Sequence, residues 1–203
     1  MKQASRLPRL LPLAAAFLVL TGSACQKKTP ERVWERGAFK PLPENTESYT
    51  LPDGVTIVTS IGYDDVIPAS ELPLLTTFRN NKDNDVEVNL PAGLVFASPN
   101  PDYDYQYMML LQDYTFTAAP GDQAEILPTY CCNEDFDEPD DESNYSESDR
   151  EWDRETQELL DLVADKALSN EDAVYLAQEA LFEITDGDSG LTNSTRTKLS
   201  NLP

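Results

Sequence analysis

From Tyr49 to Asn133 the chain is written in short apolar runs separated by turn residues. Val86-Glu87-Val88-Asn89-Leu90 alternates apolar and polar side chains, as a strand buried on one face does, and so does Tyr114-Thr115-Phe116-Thr117. Runs rich in Val, Ile, Thr, Tyr and Phe predict strands over 55–60, 74–80, 85–90, 94–97, 107–111, 113–118 and 124–131. Between them lie Pro52-Asp53-Gly54, 81–84, Pro91-Ala92-Gly93, Pro99-Asn100-Pro101 and Pro120-Gly121-Asp122, all turn formers. The last third changes period. Residues 152–167 carry Trp152, Leu159, Leu160, Leu162 and Val163 on one broad face. Ser169 then opens a second helix, with Glu171 and Asp172 at the positive end of its dipole. Its stripe of Ala173, Val174, Ala177, Ala180, Leu181 and Ile184 recurs at spacings of three and four, and Thr185-Asp186-Gly187 ends it. A short third helix is predicted over 194–199. The expected fold class is α+β: an antiparallel β-sandwich at 49–133 followed by two to three helices packed at one end, at 152–203.

Between these two parts the composition turns acidic. Residues 134–155 hold twelve Asp or Glu against Arg150 and Arg154. Asp137-Glu138-Pro139-Asp140-Asp141-Glu142 has no apolar surface to bury, so 134–151 is expected to be a disordered, solvated loop. Clustered aspartates also suit calcium, which takes six to eight oxygen ligands. The run lacks the spacing and the glycine of an EF-hand loop, so no metal ligand is assigned, and a secreted calcium-binding domain stands as an alternative.

The N-terminal segment reads as a secretory signal over residues 1–24. Lys2, Arg6 and Arg9 supply a positive start, Leu10 to Leu20 is uncharged and apolar, and Thr21 to Ala24 are small residues before a cleavage position. Eleven residues at about 1.5 Å each span about 16 Å as a helix, short of a hydrocarbon core of about 30 Å. The next residue is Cys25. The segment resembles a bacterial lipobox with Gly22 where the pattern has Leu, so Cys25 is the candidate lipidation site, the alternative being an ordinary cut ahead of it. Three acyl chains would exceed what stable anchoring needs. Residues 25–48, with Pro30, Pro41 and Pro43, read as the lipidated cysteine and a flexible tether. Gln26 is not the Asp that retains enterobacterial lipoproteins at the inner membrane, which favours the outer membrane in a diderm host.

The charge and the missing residue types narrow the chemistry. The formal net charge is −22, and about −25 without the leader. Such a surface repels nucleic acid, so no nucleic-acid partner is expected. There is no histidine, which removes the Ser-His-Asp arrangement and histidine-based zinc sites. No glycine-rich phosphate loop is present and no cofactor is expected. Carboxylate pairs such as Asp64-Asp65 or Glu179 with Glu183 arise by chance among 37 acids. No catalytic residue is assigned. With Cys25 in the anchor, Cys131 and Cys132 remain, too few for a disulfide framework.

Two stretches are read together. The first is Val88 to Phe96 with its Leu90-Pro91-Ala92-Gly93-Leu94, followed by Ala118-Ala119-Pro120-Gly121 and Tyr130-Cys131-Cys132-Asn133. The second runs from Ala177-Gln178 through Thr185-Asp186-Gly187 to Leu191. Together they resemble a bacterial surface-protein domain and, more distantly, thioester domains of bacterial adhesins. In the adhesin domains a cysteine thiol near a strand end attacks a helix glutamine's carboxamide, ammonia leaves, and the acyl group is open to capture by a surface nucleophile. Carried over, that pair is Cys131 and Gln178. Ala177 stands where the adhesin pattern has Thr, and Phe182 where it has Trp. At the border of the apolar face, Gln178 suits either a thioester or a hydrogen bond to a neighbouring loop carbonyl. Cys131 suits either a reactive or an inert buried thiol, and Cys132 a small buried hydrophobe. Tyr103, Tyr105 and Tyr107 suit either an exposed contact surface or the sandwich core. The expected function is that of an extracytoplasmic, lipid-anchored, non-enzymatic surface or envelope protein that binds a protein or surface ligand.

Overall fold

The computed structural model describes residues 49–65, 67–98, 105–134, 136–147, 156–187 and 190–203, and the backbone alone of 39–41, 150–152 and 154–155. The leader, Cys25, most of the tether and Tyr103 lie outside the described residues. The architecture is α+β, antiparallel sheets followed by three helices, as the periodicity predicts. Strands β1 (Phe39–Pro41), β2 (Val55–Gly62), β3 (Leu74–Asn80), β4 (Val86–Leu90), β5 (Val95–Ala97), β6 (Met108–Leu110), β7 (Tyr114–Ala118), β8 (Gly121–Leu127), β9 (Thr129–Cys131), β10 (Ser146–Glu147) and β11 (Arg150–Trp152) precede helices α1 (Arg154–Val163), α2 (Glu171–Thr185) and α3 (Asn193–Ser200). They pair as β2-β3-β8, β4-β7, β10-β5-β6-β9 and β1-β11, every pair antiparallel.

The β10-β5-β6-β9 sheet is the central layer. Phe96, Met108, Leu110 and Cys131 pack on one side with Leu74, Phe78, Val88 and Leu90 of the other sheets. Val95, Met109, Tyr130 and Cys132 pack on the opposite side with Leu159, Val163, Ala177 and Leu181 of the helices. Side chains alternate across a strand, so a strand covered on both faces is apolar at successive positions. That is why 108–111 reads Met-Met-Leu-Leu, all four fully buried. The helices therefore pack on the β5, β6 and β9 part of this sheet, on the face turned away from the other sheets.

Four local expectations are corrected. The strand expected over 124–131 is two strands, because Pro128 lacks an N–H and the chain there crosses from the β3 partner to the β6 partner. Gly121, expected in a turn, begins β8 with φ +93°. The tether contains β1 and residues 150–152 form its partner β11, so α1 begins at Arg154 and not at Trp152. The acidic loop is laid down against the body over most of its length. Gly62 N–H donates to Asp140 O at 2.8 Å, Tyr145 N–H to Ser60 O at 2.6 Å, and the Tyr145 hydroxyl to Gln106 O at 2.8 Å. Tyr145 and Ser143 are buried. One aromatic anchor and the unpaired edge of β2 order a segment that its acid count alone would leave in solvent.

Candidate functional site

The end of β9 meets α2 at the two residues singled out as a pair. β9 is the outer strand of its sheet, and its free edge carries the Cys131 peptide groups. Cys131 N–H donates to Gln178 Oε1 at 2.8 Å, and Gln178 Nε2 donates to Cys131 O at 2.8 Å. The carboxamide thus supplies the donor and acceptor that one residue of a neighbouring strand would supply. Eight residues further along α2, the Asp186 carboxylate accepts from Glu134 N–H at 3.1 Å. Eight residues of helix rise about 12 Å and three extended residues cover about 10 Å, so one helix grips both ends of 131–134. Within that segment Cys132 N–H donates to Tyr107 O at 2.8 Å and Tyr107 N–H to Asn133 Oδ1 at 2.9 Å, which prolongs the β6 pairing.

The two cysteines straddle the sheet. The Cys131 side chain enters the core between the sheets and that of Cys132 the core beneath the helices. Adjacent strand residues that point to opposite faces do not present their sulfurs to each other, and both thiols are free. Burial pushes both thiols above their ordinary value near 9.0; the Glu138 and Glu71 carboxylates add to this at Cys131. A protonated thiol is a poor nucleophile and a serviceable small hydrophobe. The structure therefore brings Gln178 to Cys131 through the backbone, with both polar atoms of the carboxamide bonded there.

The helices are locked by side chains as specific as the brace. Asn170 caps α2 by accepting from Ala173 N–H at 3.0 Å. Glu183 of α2 accepts from Thr192 N–H at 2.8 Å and from Thr195 Oγ1 at 2.6 Å, so its carboxylate sits at the start of α3. Arg196 makes a two-pronged bond to Glu158, at 2.7 and 3.0 Å, tying α3 to α1. Sequence reasoning did not assign Asp186, Glu183 or Asn170. The Thr-Asp-Gly stop and the Asn before two acids were the available signals for the first and the last.

The remaining candidates fall into place around this core. Tyr105 is buried and its hydroxyl donates to Asp140 Oδ1 at 2.7 Å, while Tyr107 packs half-buried beneath the helices. Both belong to the interior. Asp140 Oδ1 also accepts from Glu142 N–H at 2.9 Å. Among the described residues no group of three or more Cys, Asp or Glu side chains converges on a metal position. No described helix is long and apolar enough to cross a membrane. Compared with known proteins, the chain matches no family model, no curated protein and no solved structure.

Proposed function

We propose that this protein is an exported, lipid-anchored interaction module of a bacterial cell envelope, held at the membrane through Cys25 and acting by binding. The observation that carries the reading is the leader of Lys2, Arg6 and Arg9, an apolar run and small residues that ends at Cys25, upstream of a separately folded body. The state of that body supports it. The groups with reactive potential, the Cys131 thiol and the Gln178 carboxamide, are committed to burial and to the backbone brace. Radiolabelled palmitate incorporation tests the anchor: wild type takes up label and Cys25→Ala does not. Equal labelling removes it.

A second reading, covalent adhesion through a Cys131–Gln178 thioester, draws support from the contact between the two residues. It is weakened by a thiol that burial keeps protonated and by an amide with both polar atoms bonded to the backbone. A thioester lowers the intact mass by one ammonia, and methylamine adds back across it. An unshifted mass in freshly purified protein ends this reading.

A further inference from the structure

We propose that the notch between β2 and β10 is the docking site of this module and that it takes a short extended segment of a cationic partner protein as an added strand. The proposal rests on the reading of the chain as an interaction module and deepens it.

β2 and β10 are each the outer strand of a separate sheet, and each turns an edge toward the other. Residues 140–147 run antiparallel to β2 and bond to it at Gly62 and Ser60. The pairing stops at the bulge, where Ile57 and Thr59 face Phe78 and Thr77 and Val58 is left over. A bulge increases local twist and ends a ladder, so from Val58 back to Val55 the two edges part. Between them lies a groove of about 520 Å³, lined by Tyr49–Leu51, Val55–Val58 and Asn144–Glu147. Gly54 O accepts from Asn81 N–H of the β3 side, so by alternation Val55 and Ile57 turn their peptide groups away from β3; Val55 N–H is taken by Pro52 O at 2.9 Å, and the Val55 carbonyl and the Ile57 peptide groups face the groove. Among the described residues neither edge has a ladder partner on this side.

An unpaired edge on each wall with apolar side chains between them is the geometry that captures an extended peptide. At about 3.3 Å per residue, Val55 to Val58 accommodates about four residues of guest. Val58, 42% exposed, offers one of the two large exposed apolar side chains in the described body. The charge selects the occupant. Among the described residues Glu147 is the one charged residue lining the groove. A second copy carrying its own −22 would be repelled, whereas a basic segment is attracted.

The test is fluorescence anisotropy of a labelled eight-residue peptide alternating valine and lysine, titrated with the full-length protein. Three control peptides carry N-methyl groups on alternate amides, glutamate in place of lysine, or residues 25–48 of this chain. The expected result is saturable binding of the first peptide alone. Val58→Lys and Glu147→Lys should each weaken it about fivefold with an unchanged melting temperature, since both side chains are exposed. Binding that survives N-methylation, the lysine-to-glutamate change or both protein variants overturns the proposal. So does tighter binding of the 25–48 peptide, or a wild-type dimer in light scattering that Val58→Lys dissolves. A flat titration beside normal palmitate labelling removes the groove and leaves the anchored module standing.

Discussion

Gln178 is the side chain on which the junction of helix and sheet turns. Replacing it with Ala leaves the Cys131 N–H and C=O facing a gap at the sheet edge. Two hydrogen bonds at about 1 kcal/mol each put the expected loss at about 2 kcal/mol, read from urea unfolding. The neighbouring thiols make a separate prediction. Cys131, Cys132, Tyr130 and Tyr145 all have pKa values raised by burial, and Tyr49 is raised to about 12 by burial first and then by the Glu147 carboxylate. A raised folded value means that the unfolded chain releases its protons first. The stability these groups contribute is therefore intact below about pH 9 and falls as pH rises through the alkaline range, with thiols leading and phenols following. Thermal melts from pH 7 to 11 should show a flat region and then a decline, while a Tm that climbs above pH 9 contradicts the burial of these groups. The pairing of Cys131 with Gln178 was expected from the resemblance to thioester domains, and a Gln178 hydrogen bond to a neighbouring loop carbonyl was one of its two readings. That the carbonyl is Cys131's own, and that the Cys131 N–H answers it, was not legible, because an edge strand's spare donor and acceptor belong to the sheet and leave no trace in side-chain spelling.

The acidic segment shows the same limit at the level of elements. Its composition describes a solvated loop, and its place is set by one residue outside the segment and one aromatic side chain within it. One is Gly62, whose missing Cβ admits the Pro139 backbone; any side chain there would collide with the Pro139 carbonyl. Gly62→Ala is accordingly expected to lift residues 139–147 from β2 and to cost about 2 kcal/mol, with amide exchange rising at Ser143 and Tyr145. The other is Tyr145, buried at the junction of β2 and Gln106. The helices behave differently: α2 starts on a local signal, Asn170, and α3 on its own Thr192 cap together with Glu183 reaching across from α2. Asn170 and Glu183 hold the first turns of α2 and α3, so Asn170→Ala and Glu183→Ala should each lower stability by about 1 kcal/mol. The exposed Arg196–Glu158 pair, open to solvent and salt, should contribute less than either.

For the whole molecule the dominant quantity is the net charge of −22. Like charges spread over a compact body repel, and screening relieves them as the Debye length falls from about 30 Å at 0.01 M salt to about 10 Å at 0.1 M. The melting temperature should rise over that range with any monovalent chloride. Calcium against a chelator at constant ionic strength tests the calcium-binding alternative: a calcium-specific rise in melting temperature supports it, and an unchanged melting temperature removes it. The sequence by itself determined the strand and helix periods, the α+β class and the Thr-Asp-Gly stop of α2, because each is written in neighbouring residues. Tertiary structure alone decided which sheet is covered twice, that Pro128 carries the chain between sheets, that Gly62 and Tyr145 bring the acidic segment to rest, and that β2 and β10 part at Val58. Those outcomes depend on which backbone edges are left unpaired once the sheets have formed, and that is a property of the assembled chain.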